Sequence, residues 1–254
     1  MHSLSSAQFA LLLFAGLTGG LVRGYSGFGF ALAAVPLLNL GFPPAVAVPS
    51  VLIVECGIGL STVFGERVHI DQAILMRLVA GTLIGTPLGV LFLTLAPADL
   101  TRLFVALVAL LAVAVLWRRP HVQWLARGWA LFAGGFFSGV LNGGTAMSGP
   151  PAILVLLGAP LADRKARALL MSFILISAVL AVVITGLGRL QTLQTLGNAL
   201  AMAPGVVAGA WLGGVLFRRL PERFYRGGSF AVLVVISIIT VVSTLWALGR
   251  PAIG

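Results

Sequence analysis

Residues 19–29 read GGLVRGYSGFG, and the reading of this stretch decides the fold. Five glycines, a serine and the cation Arg23 interrupt an apolar run that begins at Ala7 and resumes at Phe28. Near mid-chain the device returns in residues 138–151, SGVLNGGTAMSGPP. There Gly139, Gly144 and Gly149 repeat the spacing of Gly19, Gly24 and Gly29 at a displacement of 120. Glycine lets backbone unwind and lets a ligand approach it closely. Paired breaks of this kind in two halves of an apolar chain point to a binding site at their meeting.

Composition sets the environment. Hydrophobic residues make up 59% of the 254 and charged residues 9%, with a mean hydropathy of +1.11, too little polar surface for a soluble domain of this length. The apolar runs have no period of two, which removes an outer-membrane barrel and leaves an all-α, polytopic membrane protein. The net charge of +10 comes in short clusters between apolar runs, so it orients the chain in a membrane and predicts no nucleic-acid partner. The lone Cys56 lies in an apolar run and reads as packing, with no disulfide, metal or cofactor pattern. MHSLSSAQ carries no Lys or Arg, so the N-terminus is expected to stay uncleaved and to face outside.

Ten apolar segments can be drawn, in two sets of five. The first set is 7–22, 28–40, 45–64, 73–95 and 100–117; the second is 129–141, 150–157, 168–187, 195–217 and 229–248. A first repeat over residues 1–117, a cytoplasmic connector over 118–128 and a second repeat over 129–254 follow, forming one integrated membrane domain. Gly85 and Gly89 recur as Gly209 and Gly213, and Pro97 and Arg102 as Pro221 and Arg226, all displaced by 124. Segments 28–40 and 150–157 are too short to span, since thirteen helical residues reach only ~20 Å.

Each short segment and the one before it could form a hairpin of partial helices, or a single kinked span. With hairpins, Arg67, Arg118, Arg119, Arg127, Arg164, Lys165, Arg167, Arg218, Arg219, Arg223 and Arg226 share one side, against Arg102, Arg189 and Arg250 on the other. Single spans largely erase that asymmetry. The positive-inside rule therefore favours hairpins, inverted halves and a multi-pass protein of the inner cell membrane with both termini outside.

In that arrangement the helices starting near Gly27 and Gly149 bring their positive ends to one mid-membrane cavity. A helix N-terminus offers unpaired N–H groups and about half a positive charge, which suits an anion. Gly24, Gly27, Gly29, Gly143, Gly144 and Gly149 would expose backbone there. Tyr25, Ser26, Thr145 and Ser148 would add hydroxyls, Asn142 an amide and Arg23 a fixed charge. Pro150 and Pro151 suit a first helical turn. Glu55, in VLIVECGIG, is the other ionisable group deep in a segment. It reads either as the ion-pair partner of Arg23 or as a proton carrier, and intramembrane charges are functional by default. Gly85, Gly89, Gly209 and Gly213 read as helix-packing residues, and so do Met147 and Phe28. His69 and Asp71 read as loop residues, and Arg77 is placed to snorkel.

These motifs resemble the sulfite exporter TauE/SafE family. The resemblance rests on RGYSGFGFALAAVPLL at 23–38, HID at 69–71, GTPLGVLF at 85–92 and GTAMSGPPAILVLL at 144–157, which cover most of the chain in the family's order. It implies a secondary carrier of small anions such as sulfite, organosulfonates or small carboxylates, usually proposed as an exporter. Without a GxxxxGK[ST] loop for ATP, a gradient would supply the energy, with protons as a candidate coupling ion. An anion channel and a non-transporting scaffold are the rivals. No HExxH, no GxSxG and no paired carboxylates support an enzyme, and nothing in the sequence fixes an oligomeric state.

Overall fold

A computed structural model describes residues 4–63, 70–118, 127–158, 161, 163–219 and the single positions 234, 238 and 242. Among these the regular structure is helical: α1 Ser6–Ser26, α2 Phe30–Leu38, α3 Pro44–Val63, α4 Gln72–Leu95, α5 Ala98–Arg118, α6 Gly128–Thr145, α7 Gly149–Leu157, α8 Asp163–Leu187 and α9 Leu193–Arg219. The expected tenth segment, 229–248, lies outside the described residues except for helical Val234, Ile238 and Val242. Five helices, α1, α3, α4, α8 and α9, contain stretches long and apolar enough to cross a membrane. The ends are locally encoded. Ser5 and Gln8 form a capping box at α1, and the Asp71 carboxylate accepts from the N–H groups of Ala73 and Ile74 to start α4. His69 lies outside the described residues.

Two glycine-lined seams hold the bundle together. On α1, Gly16, Gly20 and Gly24 meet the backbone of Met202, Val206 and Ala210, while Gly205, Gly209 and Gly213 of α9 meet Leu13, Leu17 and Leu21. Gly81, Gly85 and Gly89 of α4 meet Phe132, Phe136 and Val140 in the same way. From the other side Gly135, Gly139 and Gly143 of α6 meet Leu78, Thr82 and Thr86. Both numberings rise together, so each seam joins parallel helices. A Cβ at any of these glycines would lie under 3.0 Å from facing backbone. Lipid tails give no hydrophobic drive between helices, so such close backbone approach supplies the packing attraction. The Thr82 hydroxyl adds a 2.8 Å bond to the Gly135 carbonyl across the second seam.

The seams correct the expected extent of the first break. Gly20 and Gly24 do not unwind: α1 continues to Ser26, because glycine at four-residue spacing is its contact surface with α9. The left-handed residues are Gly27 at φ 80 and Gly29 at φ 91, so the break is confined to 27–29. In the second half Gly139, Gly143 and Gly144 lie inside α6, and the left-handed residue that ends this helix is Ala146 at φ 60. Gly27 and Ala146 cap the longer helices, Gly29 and Ser148 begin the shorter ones, and both pairs are 119 apart.

α2 and α7 are nine residues each, about 14 Å long. Every residue of α2 is buried, as a helix apolar on all sides requires. Gly19 faces Phe30 and Gly41 faces Leu11, so α2 runs back alongside α1; Gly134 of α6 likewise faces Val155 of α7. α3 packs on α8 and α9, and α8 on α3 and α4.

A stability prediction follows from the seams. Ala normally favours a helix over Gly by about 1 kcal/mol. At Gly20, Gly85 or Gly209 the added methyl must push two backbones apart, and each Gly→Ala change is expected to cost about 1–3 kcal/mol net. Gly197→Ala, with nothing within 4 Å of the new methyl, is the control that should be neutral or better. Thermal denaturation in detergent followed by size-exclusion recovery reads the difference.

Candidate anion site between the helix breaks

The two breaks meet. One narrow cavity is lined by Phe28, Gly29, Ala31 and Leu32 from the first half and by residues 146–150 from the second, closed below by Glu55 of α3 and Ile174 of α8. It has room for about one water molecule. The N-termini of α2 and α7 both open on it, and a Cβ on Gly149 would sit 3.8 Å from the Phe28 ring. Each helix start contributes differently. α2 has N–H groups at Phe30, Ala31 and Leu32 with no intrahelical acceptor, and Ala31 donates one of them to the Glu55 carboxylate. In α7, Pro150 and Pro151 have no N–H to give, leaving the Ser148 and Gly149 amides and the Ser148 hydroxyl, which makes no capping bond.

Behind this cavity stand the expensive polar groups. Arg23 is 4% exposed, and neither terminal guanidinium nitrogen has a hydrogen-bond partner among the described residues. It interacts electrostatically with Glu55 without a direct ion pair, and it is repelled by Arg167. The expected mutual ion pair is therefore a through-space attraction only, because Glu55 turns instead toward the start of α2. Its Oε2 also lacks a protein partner. At the position 119 residues on from Arg23 stands Asn142, whose amide donates to the carbonyl and hydroxyl of Ser177 on α8 at 2.8 and 2.9 Å. Its Oδ1 and the Ser138 hydroxyl are buried without partners among the described residues.

The residues expected at the site divide by location. Gly29, Ser148, Gly149 and Glu55 line the cavity. Arg23, Asn142 and Thr145 are buried outside its wall, with the Thr145 hydroxyl donating to Leu141 in its own helix. Gly24 and Gly143 belong to the seams, and Gly144 lies nearest Gly89, Phe92 and Phe104. Gly27 lines a neighbouring cavity, while the side chains of Tyr25 and Ser26 lie outside the described residues.

A family model described as Sulfite exporter TauE/SafE matches residues 12–240, nearly the whole chain. The chain belongs to the sulfite exporter TauE/SafE family. No curated protein and no solved structure matches it. Membership places the chain in a family of membrane transporters. Phe28, read from the sequence as a packing residue, does pack against the hydrophobic core, and it also lines this cavity from its place between two left-handed glycines.

Proposed function

We propose that this TauE/SafE member is a proton-coupled secondary transporter of a small anion such as sulfite, an organosulfonate or a small carboxylate. The anion binds between the two helix breaks. The observation that carries this reading is the convergence of two helix N-termini on one cavity, backed by a buried guanidinium whose terminal nitrogens have no partner among the described residues. A buried unpaired cation is costly, and an anion within its reach lowers that cost. Glu55 is the coupling group. As a carboxylate it holds the Ala31 amide and repels a second anion; as a neutral acid it gives way, so proton and substrate bind together.

In this reading the chain is one membrane domain of two inverted repeats, residues 1–117 and 129–254, joined by a cytoplasmic connector. α1–α2 and α6–α7 are hairpins that enter from opposite faces of the inner membrane. The exchanged packing supports it: α1 on α9 matches α6 on α4, and α3 on α9 matches α8 on α4. Both termini then face outside. Single cysteines introduced at Ser5 and Gln123 in a Cys56→Ala background should be labelled from opposite sides by an impermeant reagent. Labelling of both from one side contradicts the inverted arrangement.

Flux tests the function itself. In proteoliposomes the protein should move at least one of sulfite, a short alkyl sulfonate or a small carboxylate, with a fixed proton stoichiometry. Anion flux with no proton movement would favour a channel, and no flux across the panel a scaffold.

A further inference from the structure

A second cavity, of about 230 Å³, adjoins the first. Its walls are Phe28, Ile153, Leu156, Leu170 and Met171, and the charged lining residue among the described ones is Arg167, at the start of α8 and exposed. Phe28 lines both cavities and so stands between them, with its ring 3.8 Å from where a Cβ on Gly149 would be. That ring is carried between Gly27 and Gly29, both left-handed, where backbone rotation has little steric barrier. The guanidinium of Arg167 reaches over the same break: Nη2 lies 3.2 Å from where a Cβ on Gly27 would be. Arg167 also acts electrostatically on buried Arg23. The like charges of Arg167 and Arg23 repel each other, and an anion between them would be attracted by both.

We propose that the Arg167 vestibule is an outer anion site in series with the cavity between the breaks, and that Phe28 is the gate that separates them. The inference rests on the reading of that inner cavity as the transport site. Its occupant is a small organic anion: the guanidinium takes the charged end, and Ile153, Leu156, Leu170 and Met171 take an apolar body. Paired sites, each weak enough to release its ion, are what passage requires.

The test uses Ser148→Cys as a reporter in the inner cavity, in the full chain with Cys56→Ala, reconstituted and exposed to thiol reagents from the face bearing Lys165 and Arg167. The probes are 2-sulfonatoethyl methanethiosulfonate, a small alkyl sulfonate, and neutral methyl methanethiosulfonate. Phe28→Ala should speed labelling by both reagents about tenfold or more, and Phe28→Trp should slow both, because the ring sets the population of the open path. Arg167→Gln should slow the sulfonate reagent about three- to tenfold and leave the neutral one unchanged, the signature of electrostatic recruitment. Labelling rates indifferent to both Phe28 variants, or an Arg167→Gln effect equal for the two reagents, would overturn the proposal. Failure of the inner-site reading is seen separately, as a reporter whose labelling no substrate anion slows.

Discussion

Arg23→Ala is expected to weaken anion binding about thirtyfold or more, and with it transport at sub-saturating substrate. Truncating one member of a buried charge pair costs about 2–5 kcal/mol. Arg23 is buried, with both terminal nitrogens unsatisfied among the described residues, so no contact there consumes its charge. Arg23→Lys keeps the charge but loses the planar fork that matches two oxygens of a carboxylate or sulfonate. It should fall between parent and alanine. A structural role predicts a different pattern, in which Arg23→Ala lowers the melting temperature along with binding. Here the double variant Arg23→Ala/Glu55→Gln should be at least as heat-stable as the parent, because two buried charges are gone and no hydrogen-bonded pair between them is lost. Isothermal titration and thermal denaturation on the same preparations read both quantities.

Glu55→Gln is the second large effect, and its sign follows from charge. With the carboxylate ionised, a negative group already holds the Ala31 amide at the start of α2, so an incoming anion meets repulsion. Proton uptake removes that repulsion, and parent affinity should rise as pH falls. Linked binding of this kind is typically worth about 1–3 kcal/mol, or about 5–150-fold. The glutamine variant should bind with the high affinity at every pH and lose proton-driven accumulation. A pH dependence unchanged in Glu55→Gln would leave Glu55 as an electrostatic neighbour of Arg23 and no more.

Much of the architecture is legible in the sequence because membrane helices announce themselves by length and hydropathy, and glycine breaks by composition. α2 and α7 fall within about two residues of where the short apolar runs place them. What composition cannot separate is glycine that unwinds a helix from glycine that lets two helices touch. Gly20 and Gly27 look alike in a string, yet one faces the Val206 carbonyl inside α1 and the other ends that helix at φ 80. The four-residue spacing of Gly16, Gly20 and Gly24, matched by Gly135, Gly139 and Gly143, was the available cue, and it also carries the displacement of 119. The candidate site was legible by residue type but not by orientation. Nothing in the sequence tells that Glu55 reaches the Ala31 amide, that Asn142 turns to Ser177, or that Phe28 stands between two cavities.

The central claim, that an anion binds where the two helix starts meet, is tested most directly at Gly149. A Cβ there finds only ordinary contacts, 3.8 Å from Ile153 and from Phe28, so an alanine is tolerated by the fold while its methyl takes up the cavity itself. The measurement is equilibrium binding of the transported anion to purified Gly149→Ala beside the parent, with both melting temperatures recorded. Binding lost in a variant that melts within a few degrees of the parent is the predicted result. Binding as tight as the parent's would place the anion elsewhere in the molecule.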